Sequence, residues 1–327
     1  MASFRYRSNQ WQARVRRKGY PDETKSFATR QDAERWARSI ETDIDKGQFV
    51  NVSEAQRTTL GDLIERYLVE VTPLMKGASE DTIRLKAIMR KPIARWSMAN
   101  LSAARIAAFR DERLKEVGAG TVIRELAYLS AIINHGRREW GINVPNPVQM
   151  VRKPQSPPAR GRVISDDEIA KLLEALEPVG RRSPWTKPAV RLALATAMRR
   201  GELLSLRWEH VDLQAQTAFL PDTKNGESRL VPLSSVAVHV LASLPRHISG
   251  VVLPVKSFTL DAAFKRGLRR SGLEDVRFHD LRRTAITRMA EKLPNVIELA
   301  AVSGHKSLMV LKRYYHPKAH DLAMKLG

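Results

Sequence analysis

Polar and apolar side chains alternate near the start of the chain. In the stretch Trp11–Arg16 (WQARVR) every second residue is apolar, which is the period of a β-strand with one buried and one solvated face. Phe4 and Tyr6 repeat this alternation upstream, and Lys25–Phe27 follows a turn at Gly19–Pro21. We therefore predict three short strands between residues 3 and 27.

The spacing changes to that of a helix near Thr29. Apolar residues then recur three and four positions apart, so that one helical face can cover the sheet; they are Ala33, Trp36, Ala37, Ile40 and Ile44. We expect Trp11, Ala13 and Val15 to face this helix. The opposite face of the sheet would then carry a group of solvated arginines, namely Arg5, Arg7, Arg14 and Arg16.

From Thr58 onward the pattern is helical. Thr59 can cap a first helix with Asp62 in its first turn, and further helices are predicted near residues 79–90, 102–117 and 121–140. The inward positions of the last one are Val122, Leu126, Leu129, Ile132 and Ile133. Because such a stripe usually forms core, we expect function on the other faces. Six basic residues there are candidates for phosphate contacts: Arg90, Lys91, Arg95, Arg124, Arg137 and Arg138.

A proline-rich segment, Arg152–Gly161, follows these helices and predicts an extended linker. Just after it, Ser165 precedes three acidic residues, Asp166, Asp167 and Glu168. Three carboxylates in a row suggest a metal site. A serine followed three residues later by a glutamate, ahead of apolar positions, is however typical of a helix capping box. We therefore predict a helix start here and no metal.

The last part of the chain mixes helical and strand patterns. A helical run is predicted from Val190 to Leu206, with the charged Arg199 among apolar neighbours. Residues Thr217–Leu233 predict a β-hairpin with its turn at Asn225-Gly226, and Lys224 directly precedes that turn. His279 and Arg282 are three residues apart where another helix begins, so we expect them on one helical face.

Composition narrows the possible partners. The 327 residues include 56 Lys and Arg against 35 Asp and Glu, a formal net charge of +21. This balance favours a polyanionic partner, with nucleic acid first. There is no cysteine, hence no disulfide framework or thiolate chemistry. The first residues lack the apolar core of a signal peptide, and no stretch reaches about 18 consecutive apolar residues, the length of a membrane-spanning helix. The basic residues are spread along the chain rather than gathered on one amphipathic helix, which argues against a peripheral membrane protein. We expect a soluble, intracellular protein.

Candidate chemistry gathers near the C-terminal end, where Gly304-His305 precedes Tyr314 in a basic stretch. A tyrosine hydroxyl is a weak nucleophile at neutral pH, because its ordinary pKa is about 10. Covalent chemistry at Tyr314 would therefore need cations around its target. The sequence offers Arg199, Lys224 and the His279-x-x-Arg282 pair.

The order of these groups resembles that of the tyrosine recombinases, or phage integrases. The matching residues are Arg199, Lys224, His279, Arg282, His305 and Tyr314, and the spacing from His305 to Tyr314 also matches. Residues Thr121–Leu126 through Asn146-Pro147 are similar to the core-binding domain of these enzymes. Two departures stand out: Ala197 where the family usually has glycine, and Ser303 before Gly304 where leucine is common.

The resemblance implies roles for these residues. Tyr314 would attack a DNA phosphate and form a 3′-phosphotyrosyl link, Lys224 would protonate the leaving 5′ oxygen, and His279 would assist proton transfer. Arg199 and Arg282 would bind the nonbridging oxygens, Glu202 would orient Arg199, and His305 would donate a hydrogen bond to the phosphate. A 5′ hydroxyl of a partner duplex would then attack the link. No metal or other cofactor is implied.

The implied fold class is α+β and mainly α-helical. We expect an N-terminal module at residues 1–50, a three-stranded sheet plus helix that resembles the arm-binding module of phage integrases. An all-helical core-binding domain would follow at 58–151, a linker at 152–162, and at 163–327 a mixed helical catalytic domain with a small β-hairpin sheet. The implied partners are double-stranded DNA, a homotetramer on two duplexes and accessory DNA-bending proteins, with no membrane. The implied location is the bacterial cytoplasm, at the nucleoid.

Alternatives remain open on the sequence alone. Within the family, integration and excision of a mobile element compete with DNA inversion of the plasmid shufflon type or with resolution. Another class is a DNA-binding regulator without catalytic activity, against which the complete residue set argues. A metal-dependent nuclease is the third, and a covalent protein–DNA adduct would exclude it.

Overall fold

The computed structural model describes residues 2–47, 53–222 and 228–315, together with 323, 324 and 326. The chain divides into two compact units, Met1–Ala159 and Arg160–Gly327. The division falls inside the segment predicted as a linker, and residues 152–165 contain no helix or strand. The architecture is mainly helical, with two small antiparallel sheets of three strands each, as the predicted fold class requires.

The first unit begins with the predicted sheet and its covering helix. Strands β1 (Ala2–Arg7), β2 (Gln10–Val15) and β3 (Glu23–Phe27) are antiparallel in the order β1-β2-β3. Helix α1 (Arg30–Asp45) starts at Thr29, whose side chain accepts a hydrogen bond from the backbone N–H of Asp32. Val15 packs with residues of α1, among them Trp36 and Ile40. The pairing Arg5↔Gln12 and Ser3↔Arg14 places the exposed arginines of β1 and β2 on the other face, as predicted.

The described residues of the first unit form five further helices. They are α2 (Ser53–Arg57), α3 (Leu60–Glu70), α4 (Ala78–Met89), α5 (Ala103–Glu116) and α6 (Ala119–Glu139), with 3₁₀ turns at Thr72–Leu74, Pro92–Arg95, Met98–Asn100 and Pro147–Met150. Thr59 and Asp62 form a capping box, since each side chain accepts from the other residue's backbone N–H, at 3.1 and 2.9 Å. All five inward residues predicted for α6 are fully buried. The apolar stripes of the sequence therefore form the core of this part.

The second unit surrounds a small sheet with helices. The helices are α7 (Asp166–Ala175), α8 (Thr186–Thr196), α9 (Arg200–Ser205), α10 (Ser235–Ala242), α11 (Ser257–Ser271), α12 (Phe278–Lys292), α13 (Val296–Ser303) and α14 (Leu308–Leu311). 3₁₀ turns lie at Trp208–His210 and Lys312–Tyr314. Strands β4 (Val211–Asp212), β5 (Thr217–Leu220) and β6 (Arg229–Pro232) pair in the order β4-β5-β6. The predicted hairpin is β5 and β6; its turn at Asn225-Gly226 lies outside the described residues.

The predicted helical run from Val190 to Leu206 is wrong as a continuous helix. Helix α8 ends at Thr196, Ala197 adopts a left-handed conformation with φ 51°, and Arg199 is extended before α9 begins. The apolar spacing continues across this break, so periodicity could not reveal it. A left-handed residue turns the chain and ends a helix, which is why glycine is the usual residue at such a position.

The acidic stretch after the linker caps a helix, as predicted. Ser165 and Glu168 form a capping box at the start of α7, and Glu168 also pairs with Arg162. Asp166 pairs with Arg288. Over the described ranges, no group of three His, Asp or Glu residues is arranged to hold a metal ion. No described helix is both long and apolar enough to cross a bilayer.

Candidate active site

The carboxyl end of helix α13 is the centre of the site. Its last residues are followed by Gly304, which has the left-handed φ of 68° that ends many helices. Three consecutive carbonyls at this end accept hydrogen bonds from arginines. Arg229 donates to Val302 at 2.6 Å, Arg282 to Ser303 at 2.6 Å and Arg199 to Gly304 at 3.2 Å. A helix carboxyl end has unpaired carbonyls and partial negative charge, so it attracts and aligns these guanidinium groups.

Arg199 reaches this cluster because of the break between α8 and α9. It is the residue preceding α9, and its backbone N–H and its Nη1 both donate to Glu202, at 2.9 and 2.6 Å. Glu202 is almost fully buried and also accepts from Arg229 at 2.9 Å. Burial acts to raise the pKa of Glu202, but the hydrogen bonds from Arg199 and the charge of Arg229 outweigh it and hold the pKa below its ordinary value. Glu202 therefore stays ionised between two guanidinium groups.

Arg282 connects two helix ends. It lies on α12 and is 4% exposed, and its guanidinium donates to the carbonyls of Ala197 and Ser303. Burial, together with the positive charge of Arg199, lowers the pKa of Arg282 to about 10. The cost of holding this charge away from water decreases when an anion binds beside it. The cluster is thus suited to bind an anion such as a phosphate.

His305 and Tyr314 lie together beside the arginines. Their ring centroids are 6.2 Å apart, and the guanidinium carbon of Arg283 lies 5.2 Å from the Tyr314 ring centroid. Burial, followed by the charges of Arg282 and Arg199, lowers the pKa of His305 to about 4. The imidazole is therefore neutral at pH 7 in the protein without DNA.

The neighbouring tyrosine, Tyr315, has a structural contact. Its hydroxyl donates to the carbonyl of Leu293 at 2.6 Å, and burial raises its pKa. Among the described residues, no hydrogen bond engages the Tyr314 hydroxyl in the same way. This difference favours Tyr314 over Tyr315 as the reactive residue.

The remaining predicted catalytic residues are placed differently. His279 is exposed in the first turn of α12 and lines an open groove of about 530 Å³ together with Arg199. It shares a helix with Arg282, but Arg282 is buried while His279 faces the groove. Lys224 lies outside the described residues. The structure thus brings together Arg199, Arg282, His305 and Tyr314, with Glu202 behind Arg199, and places His279 at the adjoining groove.

The predicted DNA-contacting residues of the first unit are on its surface. Arg14 and Arg16 pair with Asp22 at 2.7 and 2.8 Å, and Lys91 pairs with Glu116 at 2.7 Å. The other seven are exposed: Arg5, Arg7, Arg90, Arg95, Arg124, Arg137 and Arg138. Their part in DNA binding stays a prediction.

Sequence reasoning missed three residues of the site: Arg229, Ser303 and Arg283. Arg229 is in phase with the buried Val231 of β6, so its side chain points inward, but the apolar Leu230 between them conceals the alternation. Ser303 was visible only as a departure from the usual leucine. Arg283 gives no local signal beyond its place next to Arg282.

The fold and this cluster define a class of protein. The site consists of arginines at the end of a helix, beside a histidine and a tyrosine, and it lies in a helical unit with a small antiparallel sheet. This arrangement is the one expected of a tyrosine recombinase. The phage integrase family model matches residues 162–320. The crystal structure of a lambda integrase dimer bound to a COC′ core site has the same fold. The TM-score between that structure and this chain is 0.67 at 22% sequence identity. The match covers 95% of this chain and 93% of the lambda integrase chain.

Two relatives that match most of the chain show which family it belongs to. A putative integrase/recombinase of Haemophilus influenzae is 36% identical over 99% of this chain and 88% of its own length. The shufflon-specific DNA recombinase of Escherichia coli is 39% identical over 83% of this chain and 72% of its own length. The chain therefore belongs to the phage integrase family, the tyrosine recombinases of site-specific DNA recombination, which break and rejoin DNA.

Proposed function

We propose that this protein exchanges DNA strands at specific sites through a 3′-phosphotyrosyl intermediate formed on Tyr314. The observation that carries the proposal is the cluster at the end of α13, where Arg199 and Arg282 lie beside His305 and Tyr314. Such a cluster suits an anionic reacting centre next to a hydroxyl nucleophile. The relatives that match most of the chain are integrases and recombinases, which supports the same reaction.

The arginines would supply the charge that the reaction needs. Arg199 and Arg282 would each bind a nonbridging oxygen of the scissile phosphate, where negative charge grows as Tyr314 attacks. The P–O bond to the 5′ oxygen would break, and Lys224 would protonate that oxygen as it leaves. In the second half of the reaction, a 5′ hydroxyl of another duplex would attack the phosphotyrosyl bond and release Tyr314. The phosphodiester is conserved throughout, so strand exchange needs no separate energy source.

We propose double-stranded DNA and further copies of this chain as the partners. The net charge of +21 favours a polyanion, and salt-sensitive phosphate contacts by the exposed arginines would supply most of the affinity. One structural neighbour, with a TM-score of 0.65, is a lambda integrase tetramer bound to a Holliday junction. A tetramer on two duplexes is the assembly we propose here, with accessory DNA-bending proteins as further partners at the nucleoid.

Integration and excision of a mobile element are the outcome we favour, and inversion is the second candidate. The N-terminal sheet with its arginine face supports an integrase that binds separate arm sites. Inversion is supported by the 39% identity to the shufflon-specific recombinase. Sequencing the DNA that is trapped covalently on the protein in cells would separate them, because inversion requires two target sites in opposite orientation on one molecule.

The experiment for the reaction is a pair of single-oxygen deletions. Tyr314→Phe is expected to abolish the covalent adduct on a nicked suicide substrate while DNA binding stays within about twofold, because only the nucleophilic oxygen is removed. Tyr315→Phe is the matched control. It loses the bond to Leu293, which costs about 1 kcal/mol of unfolding free energy, and should still form the adduct. An adduct that persists in Tyr314→Phe and disappears in Tyr315→Phe would refute the assignment.

A further inference from the structure

The hydroxyl of Ser303 lies between a carbonyl and the imidazole of His305. Ser303 is the last residue of α13 and is fully buried. Its Oγ is 2.6 Å from the carbonyl oxygen of Leu299 and 2.8 Å from Nδ1 of His305. Both distances are those of well-formed hydrogen bonds.

The number of protons fixes the direction of both bonds. A serine hydroxyl has one proton to donate, and a backbone carbonyl can only accept. The proton of Ser303 must therefore go to Leu299, and Oγ must accept at its other contact. The partner there, Nδ1 of His305, is then the nitrogen that carries the hydrogen. We propose that Ser303 is a positioning residue that holds His305 in the Nδ1–H tautomer, so that Nε2 is left as a proton acceptor in the active site.

This assignment changes the expected role of His305. The sequence suggested that His305 donates a hydrogen bond to the phosphate, but a neutral imidazole with its hydrogen on Nδ1 has none to donate from Nε2. The imidazole is kept neutral by burial and by the guanidinium groups of Arg282 on α12, Arg199 before α9 and Arg229 on β6. The titratable His279 of α12 faces it as well. An unprotonated Nε2 is a base, and the nearby ring of Tyr314 carries the hydroxyl that must lose its proton.

The resulting step rests on the proposed function. As the Tyr314 oxygen bonds to phosphorus, its proton passes to Nε2 of His305, directly or through one water. The bond from phosphorus to the 5′ oxygen breaks, and that oxygen takes a proton from Lys224. His305 is then an imidazolium beside the new phosphodiester. When the 5′ hydroxyl of the second strand attacks, it gives its proton to the neutral Lys224, and His305 returns its proton to the leaving oxygen of Tyr314. Proton count and charge balance over the full cycle.

A second serine–histidine pair in the same unit serves as an internal reference. His247 Nδ1 is 2.8 Å from Ser249 Oγ, but there Nδ1 also accepts from the backbone N–H of Ser249 at 3.2 Å. A nitrogen that accepts from an amide carries no hydrogen itself, so His247 must be the Nε2–H tautomer. The two histidines are therefore expected to show opposite tautomers in one spectrum.

The direct test is nitrogen NMR on the full-length protein with ¹⁵N-labelled histidine, without DNA, at pH 7. Long-range ¹H–¹⁵N spectra distinguish protonated from unprotonated ring nitrogens, and His305→Gln and His247→Gln identify the two signals among the eight histidines. We expect Nδ1–H at His305 and Nε2–H at His247. A wild-type His305 that carries its hydrogen on Nε2, or that is an imidazolium at pH 7, overturns the proposal before any variant is made.

The variants separate positioning from plain structure. Ser303→Ala should move His305 towards the Nε2–H tautomer and slow adduct formation about tenfold, since complete loss of a general base costs about 10²–10⁴-fold and the imidazole remains present. DNA affinity should stay near wild type, and the melting temperature should fall modestly because a buried side chain loses two hydrogen bonds. Ser303→Thr restores the hydroxyl and should restore both the tautomer and the rate. The control, Ser249→Ala, should change neither the tautomer of His305 nor the rate of adduct formation.

The outcomes also distinguish this inference from the proposed function. If Ser303→Ala keeps the Nδ1–H tautomer and the wild-type rate while Tyr314→Phe is inactive, the recombinase chemistry stands and the role of Ser303 is refuted. If Tyr314→Phe still forms the adduct, the proposed function fails, whereas the tautomer of His305 is settled by the spectrum of the protein alone.

Discussion

Ala197 is the residue on which the direction of Arg199 depends. It is fully buried with φ 51° and ψ 19°, a left-handed conformation that costs an ordinary side chain about 1–2 kcal/mol. Its carbonyl accepts from Arg282, and the chain leaves α8 here so that Arg199 can meet Glu202. The position has the geometry of a glycine but contains an alanine. Some strain is therefore stored beside the active site.

Replacing this alanine by glycine should have an unusual effect on stability. Alanine to glycine inside a helix costs about 1 kcal/mol, so Ala193→Gly, at a buried alanine within α8, is expected to lose at least that much. Ala197→Gly should lose less or gain stability, because glycine adopts positive φ without strain. Urea unfolding of both variants measures the difference. Equal losses would show that the left-handed turn at Ala197 is not strained.

At the scale of elements, strand β6 joins the small sheet to two helices. Arg229 points from the inward face of β6, donates to Glu202 of α9 and to Val302 near the end of α13, and its side chain is only 12% exposed. Glu202 in turn holds Arg199. The carboxylate of Glu202 thus connects Arg229 of the small sheet to Arg199, the proposed catalytic arginine. Lys224, the proposed general acid, lies in the segment between β5 and β6. Strand β6, which carries Arg229, therefore directly follows the segment that contains Lys224.

Removing Arg229 should damage both stability and cleavage. Arg229→Ala leaves buried Glu202 with one guanidinium partner, and breaking a buried ion pair in this way costs about 3–5 kcal/mol. Arg229→Lys keeps the charge but not the two-pronged geometry, so we expect a folded protein whose adduct forms at least about tenfold more slowly. Arg288→Ala, which breaks the exposed pair with Asp166, is the control and should cost under about 1 kcal/mol. A wild-type rate in Arg229→Lys would contradict the positioning of Arg199 through Glu202.

At the scale of the whole molecule, the N-terminal module has an apolar cluster of its own. Val15, Ala37 and Ile44 form it with Phe4, Trp36 and Ile40. The exposed face of its sheet carries Arg5, Arg7 and Arg14, and a sheet of three strands is narrow enough to enter a DNA major groove. We propose that residues 1–50 bind a DNA sequence distinct from the crossover site.

Deletion of this module should separate two binding activities. The fragment 58–327 is expected to cleave a short core duplex at close to the full-length rate, since the whole cluster around α13 is retained. It should lose protection of the second site in footprints of the native attachment region. A triple variant, Arg5→Ala with Arg7→Ala and Arg14→Ala in the full-length chain, should reproduce that loss. Identical footprints from all three proteins would mean that the arginine face is only a solvated surface.

Local sequence patterns predicted most of the helices and strands, and the order of residues along the chain singled out the groups that we propose to be reactive. Period-two and helical spacing gave the sheet, α1 and the buried face of α6, because these patterns depend on neighbours a few residues apart. The capping boxes at Thr59 and Ser165 are likewise local. Arg199, Arg282, His305 and Tyr314 were found by their order along the chain, and the structure places all four together.

Tertiary structure alone decided how these groups are held. Arg199 bonds a carbonyl 105 residues away, and Arg282 bonds one 85 residues away. No local pattern encodes such pairs. The break at Ala197 was invisible because apolar spacing continues through it, and the burial of Arg229 depends on what packs over β6. The tautomer of His305 follows from a single proton on Ser303 and from the carbonyl that receives it. The periodicity of a sequence shows which side chains are buried away from water. Catalysis depends instead on which atom each polar group faces, and the packing of segments that are distant in sequence determines those contacts.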